Sequence, residues 1–280
     1  MGGVSQRWLN LGVIVLQPSE LMKPALVLVL AKYYSGLPPA MTKDLKAQLI
    51  PLGLIFFPVG LVLLQPDLGT SLAIMFGGAC VMFLAGLPMR WFAAAGAAGA
   101  VAAPLAYFFG LKEYQQRRVT TFLDPESDPL GSGYHITQSK IAIGSGGLTG
   151  KGFGNGSQSH LNYLPEPQTD FVFATMAEEW GLAGGILVLL MFGIILRWGL
   201  GVARACNDPF GRLLASGMVV TIFFYVAINL MMVMGLAPVV GIPLPFMSHG
   251  GSSMLTNMIC IGTLMMVHRW NRTSAQNRFG

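Results

Sequence analysis

The sequence predicts an all-α, polytopic membrane protein of about seven spans, and three observations predict it. Of its 280 residues 53% are hydrophobic and only 10% charged, where a soluble domain carries about 25% charged residues. Several stretches long enough to cross a bilayer, about 20 residues, run without Asp, Glu, Lys or Arg. Basic residues gather in alternate connections between these stretches. The net charge of +5 is therefore first a topology signal. A nucleic-acid partner would need a basic face with interleaved aromatics, and none is present.

The first span is SELMKPALVLVLAKYY, residues 19–34, the most polar because it holds Lys23 and Lys32. The second runs from Ala47 to Pro66, the third from Leu68 to Met89 and the fourth from Trp91 to Leu111. The fifth, Phe171 to Leu196, is interrupted only by Glu178 and Glu179. Leu213 to Val267 has room for two more. GLAPVVGIPLPFMSHGGSS divides it, since Pro and Gly end helices. One integral membrane domain is expected over residues 1–280, with residues 112–169 as a large outer loop within it.

Orientation follows from the basic residues. Lys32, Lys43 and Lys46, then Arg90, then Arg197, Arg204 and Arg212, then His268, Arg269, Arg272 and Arg278 fall on one face, which the positive-inside rule makes cytoplasmic. The other face receives residues 1–18, the QPDLGTS turn, the 112–169 loop and the 235–252 loop. The N-terminus is then outside and the C-terminus inside. MGGVSQRWLN lacks a basic leader followed by an apolar core, so no cleaved signal peptide is expected.

The unusual residues sit on or near the outer face. Glu20 and Lys23 are three apart, hence on one helix face; they are either a buried pair or a cation facing an anionic ligand with Glu20 holding it. Asp67 follows Gln65 and Pro66 at a helix start and reads as a cap. IAIGSGGLTGKGFGNGS has seven glycines between Gly144 and Gly156. It offers backbone N–H groups to an anion but fails the phosphate-loop pattern, because Gly152 follows Lys151 and Ser145 stands five before Gly150. Glu178 and Glu179 are about 100° apart on a helix and cannot face one partner; pairing with a basic residue is the favoured reading. Asp170 stands where an outer loop meets the membrane, as a helix cap or as a carboxylate reaching water and a headgroup together. His135, His160, His249 and His268 form no i, i+4 pair, and Cys80, Cys206 and Cys260 suggest neither a metal site nor a disulfide framework.

Five segments resemble the SEDS family in order: QRWLNLG…QPSELMK, QPDLGTS, LDPESDPLGSGYHITQSKIAIGSGGLTGKG, LPEPQTDFVFATMAEEWGL and PLPFMSHGGSS. The resemblance covers essentially the whole chain. It implies a bacterial cytoplasmic-membrane glycosyltransferase that polymerises lipid II during cell elongation. The implied partners are a class B penicillin-binding protein, the elongation machinery and membrane lipids. A ten-span fold is also implied, of which this chain would carry the last seven. The family's essential Asp falls on Asp170, which becomes the general base. A carboxylate of ordinary pKa, about 3.9, is a weak base, so it needs partial burial or late proton transfer. The leaving diphosphate needs cations: Arg7 and Lys23, with Glu20 orienting Lys23, and then Arg117, Arg118 and Lys151. Ser248 lines a cavity floor or forms a packing turn. A divalent cation, Mg²⁺ or Mn²⁺, is implied by resemblance without a ligand set. Gln168 stands where the family often has His, and His249 where it often has Tyr. The division-specific paralogue, a lipid flippase or transporter, and a non-catalytic scaffold for a penicillin-binding protein are the other readings.

Overall fold

The computed structural model describes residues 8–276 except 11, 13–14, 39, 66, 111–112, 125–130, 161–162 and 165–167. Among the described residues a two-stranded hairpin, β1 (Leu9–Asn10) and β2 (Val15–Leu16), precedes ten helices. Its register pairs Leu9 with Leu16 and Asn10 with Val15. The helices are α1 (Pro18–Ser35), α2 (Leu45–Leu64), α3 (Leu68–Leu84), α4 (Met89–Leu105), α5 (Glu113–Leu123), α6 (Ser132–Ser145), α7 (Ser157–His160), α8 (Val172–Ala205), α9 (Pro209–Val233) and α10 (Gly251–Gln276). A 3₁₀ turn, Met41–Lys43, precedes α2, and a π-turn, Ala106–Gly110, follows α4.

The seven expected spans correspond to α1, α2, α3, α4, α8, α9 and α10. By length and composition α2, α8 and α9 are long and apolar enough to cross a membrane, while α3 is apolar but shorter. Outward side chains are greasy: Phe57 is 72% exposed, Leu64 81% and Ile194 68%. Apolar surface on this scale belongs against hydrocarbon or another protein.

The packing resolves into two compact units. The first holds residues up to 87, 192–226 and 250 onward. In it α1 packs on α2, α3 and α10. The helix starts are pinned by side chains. Pro18 begins α1, where a missing N–H is harmless. Asp44 caps α2, accepting from the Lys46 N–H at 3.2 Å. Asp67 caps α3, accepting from the Thr70 N–H at 3.1 Å and the Thr70 hydroxyl at 3.0 Å, so its reading as a cap holds. Ser252, at the start of α10, accepts from the Gln17 N–H at 2.9 Å and donates to the Val15 carbonyl at 3.1 Å, fastening the hairpin to the helices. The core is Val27, Leu30, Ile74, Val81, Met218 and Ile222. Helices approach closely where a side chain is missing: a Cβ on Gly217 would lie 2.4 Å from Val27 Cγ1 and 3.0 Å from Val81 Cγ2.

The second unit holds residues 88–191 and 227–249. Here the sequence reading needs correction, since 112–169 is not simply a long loop. It contains α5, α6 and α7. In α6 the buried residues are Gly133, Ile136, Ser139 and Ala142, one narrow helical stripe. The Ser139 hydroxyl ties that stripe to α9 by donating to the Val233 carbonyl at 2.8 Å.

Gly217→Val is expected to overpack the α1–α3–α9 contact and to destabilise the protein by about 1–3 kcal/mol. The check is thermal unfolding in detergent, and an unchanged midpoint contradicts the close approach.

Candidate functional site

Asp170 lies in the turn that leads into α8 and is half-buried. Three successive carbonyls fix this turn. Gln168 O accepts from the His249 N–H at 2.8 Å. Thr169 O accepts from the Ser248 hydroxyl at 2.6 Å. Asp170 O accepts from Asn229 Nδ2 at 2.8 Å. The two positions that depart from the family pattern, Gln168 and His249, thus meet through their main chains. Ser248 Oγ also accepts from the Leu244 N–H at 2.7 Å, closing a turn in which Phe246 has a φ of 62°. Both bonds of this buried hydroxyl serve the turn, so Ser248 has the packing role of its two readings. A bulky residue with positive φ is a strained conformation held by its surroundings. The carboxylate rests beside Gly241, whose added Cβ would lie 3.4 Å from Asp170 Oδ2.

Sequence reasoning missed Asn229, which is fully buried in α9. Its Nδ2 donates to Asp170 O and to Ile242 O, both at 2.8 Å. Two carbonyl partners fix which end of the amide is nitrogen. Oδ1 is then buried with no hydrogen-bond partner among the described residues. Such an acceptor costs about 1–3 kcal/mol. The available signal was an amide within the apolar run FFYVAINLMMV.

Behind Asp170, α8 is broken at Gly181, where φ is 65° and ψ −161°. In an unbroken helix the Leu182 N–H would reach Glu178 O and the Ala183 N–H would reach Glu179 O. The glycine-rich segment takes over all four groups. Glu178 O accepts from the Lys151 N–H at 3.1 Å, and Glu179 O from the Gly152 N–H at 3.0 Å. The Leu182 N–H donates to Gly147 O at 2.9 Å, and the Ala183 N–H to Leu148 O at 3.1 Å. Such contact demands glycine: a Cβ on Gly150 would stand 2.1 Å from Glu179 O. These N–H groups serve the helix backbone, so they are neither an anion cradle nor a free loop tip.

The same segment carries Lys151 to Glu178, as the pairing expectation required. Lys151 Nζ lies 2.6 Å from Glu178 Oε1, with Glu178 fully buried and Lys151 30% exposed. Ser157 Oγ lies 3.1 Å from the same oxygen, and the Gln158 N–H lies 3.2 Å from both carboxylate oxygens. Glu179 is only half-buried, as the angular separation of the two residues demands. It borders a cavity of about 290 Å³ with Thr149, Phe153, Trp180, Ala183, Gly184 and Leu187, and Asp170 is not in that lining.

In the first unit Glu20 and Lys23 are 6% and 4% exposed. Lys23 Nζ sits 2.6 Å from Glu20 Oε1. It also bonds the Tyr225 hydroxyl and lies 4.3 Å from the centre of that ring. The Tyr225 hydroxyl donates to Glu20 Oε2. This closed triad ties α1 to α9, and of the two readings of Glu20 and Lys23 it is the buried pair. Lys151 is likewise engaged with Glu178. Arg7 lies outside the described residues. Arg117 and Arg118 fall in α5, but their side chains lie outside the described residues. Among the described residues no three His, Cys, Asp or Glu side chains converge on a metal site. The implied divalent cation thus finds no protein cage among them.

A family model described as Cell cycle protein (FTSW_RODA_SPOVE) matches residues 2–273. The chain belongs to the FtsW/RodA/SpoVE family. This is the SEDS family its motifs resemble. Over 266 residues it is 47% identical to the peptidoglycan glycosyltransferase MrdB of Escherichia coli (strain K12), covering 94% of this chain and 71% of that protein. Stage V sporulation protein E of Bacillus subtilis (strain 168) is 41% identical over 272 residues, 96% of this chain and 72% of the relative. Among solved structures, a chain from a peptidoglycan synthase complex matches with a TM-score of 0.79 at 35% identity, covering 95% of this chain and 73% of its own length. The crystal structure of Thermus thermophilus rod shape determining protein RodA matches at 0.66 and 32% identity, covering 96% and 71%. The all-α, polytopic membrane architecture is therefore that of the FtsW/RodA/SpoVE family.

Lys151→Met should strand the Glu178 carboxylate and destabilise this FtsW/RodA/SpoVE member by roughly 2–3 kcal/mol. Adding Glu178→Gln should recover part of the loss, because the buried charge is gone. Detergent unfolding midpoints of both variants check this, and a double variant no better than the single one contradicts it.

Proposed function

We propose that the protein is a peptidoglycan glycosyltransferase of the elongation type, polymerising lipid II with Asp170 as the general base. The observation that carries the assignment is the three-carbonyl clamp on residues 168–170, which holds one half-buried carboxylate at the start of an apolar helix. A base must be held in geometry before its basicity matters. In the proposed step the acceptor sugar's C4 hydroxyl oxygen bonds to the donor's anomeric carbon. Its proton passes to Asp170, and the bond from that carbon to the diphosphate oxygen breaks. The electron pair leaves with the lipid diphosphate. One displacement of this kind inverts the anomeric centre. The polar sugars react at the aqueous face while the lipid tails stay in the bilayer.

The leaving diphosphate needs positive charge near it. Glu20 and Glu178 hold Lys23 and Lys151, so Arg7, Arg117 and Arg118 are the residues we assign to that role. A divalent cation belongs to the same proposal. Mg²⁺ is usually held by one or two carboxylates together with substrate phosphates, which requires no cage of three or more side chains. In this reading the protein sits in the bacterial cytoplasmic membrane with the Asp170 turn outside, the N-terminus of this chain outside and the C-terminus inside. The proposed partner is a class B penicillin-binding protein that cross-links the new strand. The nearest support is the matched chain's membership in a complex described as coordinating polymerization and crosslinking.

The deciding experiment is lipid II polymerisation by purified protein. Asp170→Asn should leave insertion and unfolding midpoint unchanged and abolish glycan product. Full activity in that variant removes Asp170 as the base, and lipid translocation without polymer favours a flippase. EDTA should stop polymerisation and added Mg²⁺ should restore it. Unchanged product in EDTA removes the cation from the mechanism.

A further inference from the structure

Asn229 joins two pieces of the candidate site through one side chain. One Nδ2 bond holds the carbonyl of Asp170, and the other holds the carbonyl of Ile242. The residue before Ile242 is Gly241, the backbone beside which Asp170 Oδ2 rests. The amide therefore holds both the residue that bears the carboxylate and the backbone next to Gly241, beside which it lies. A peptide group is planar, so anchoring the Asp170 carbonyl sets the plane between residues 170 and 171. That sets ψ of Asp170 and narrows the directions its side chain can take.

Both donors of this amide are spent on main-chain carbonyls of the candidate site. The Ser248 hydroxyl and the His249 N–H act beside it on residues 169 and 168, but neither reaches Asp170's own carbonyl.

We infer that Asn229 is a positioning residue for the Asp170 carboxylate, acting through the main chain on the clamped turn. This rests on the reading of Asp170 as the proton acceptor. Asn229 touches neither reacting sugar. It holds the base within reach of the acceptor hydroxyl, and its loss lets the carboxylate drift.

The test is steady-state polymerisation of lipid II by the purified full chain carrying Asn229→Asp, Asn229→Leu or Asn229→Gln, with Asp170→Asn alongside. Leu matches Asn in shape but donates nothing and Asp can donate at most one bond, and only when protonated, whereas Gln keeps both donors one methylene further out. A displacement of about 1 Å is worth about 100-fold in rate. The expected result is a kcat lower by about 10- to 100-fold in the Asp and Leu variants, with KM within about threefold of wild type, and at least partial recovery of kcat in Gln. Wild-type kcat in folded Asp and Leu variants overturns the inference. So does a loss confined to KM, or a loss of folding common to all three, which makes the residue merely structural. Activity in Asp170→Asn would instead fell the reading of the base itself. An inactive Asp170→Asn beside fully active Asn229 variants would fell only the positioning role.

Discussion

A helix broken among apolar side chains must return every freed backbone group to a protein partner, because no water is there to take it. The candidate site depends on how α8 meets that constraint. Gly181 interrupts the helix, and the chain from Gly147 to Gly152 supplies two donors and two acceptors in place of two helical hydrogen bonds. This repair requires backbones in direct contact, which accounts for Gly150 and for glycine at the break. It also delivers Lys151 to Glu178, since the residue that bonds the Glu178 carbonyl is the one whose ammonium meets the Glu178 carboxylate. Two adjacent carboxylates in a lipid-length run thus have separate fates. Glu178 is enclosed and matched, and Glu179 borders a cavity.

Charge inside each unit follows one rule. A buried cation and a buried anion are tolerated together when further hydrogen bonds complete them. Glu20 and Lys23 share Tyr225, and Glu178 and Lys151 share Ser157 and the Gln158 amide. These pairs make the sites rigid at the expense of making their lysines poor ligands for anything else. Asp170 is different. Its turn is held through the carbonyls of residues 168, 169 and 170. In the proposed reaction such a turn makes orientation of the carboxylate count for more than its basicity.

Much of this was legible in one dimension. Hydropathy located seven helices because apolar character is a property of consecutive residues. Asp67 was legible as a cap for the same reason, its bonded partner being Thr70. The Asp170 position emerged from motif resemblance, and the pairing of Glu178 from the expense of an unmatched buried charge. The helices within 112–169 were missed although Gly133, Ile136, Ser139 and Ala142 repeat every third residue. The glycines that follow drew attention to loop chemistry instead.

The sequence by itself determined the class of protein, the spans and the residue types available for chemistry, because each depends on local composition and near neighbours. Only the tertiary structure decided which lysines were occupied, what the glycine-rich segment was for, and that Asn229 and Ser248 hold the Asp170 turn. Those contacts join residues 59 and 79 positions apart. Such pairings arise from helices packing side by side, and no local pattern encodes which distant carbonyl an amide or hydroxyl will meet.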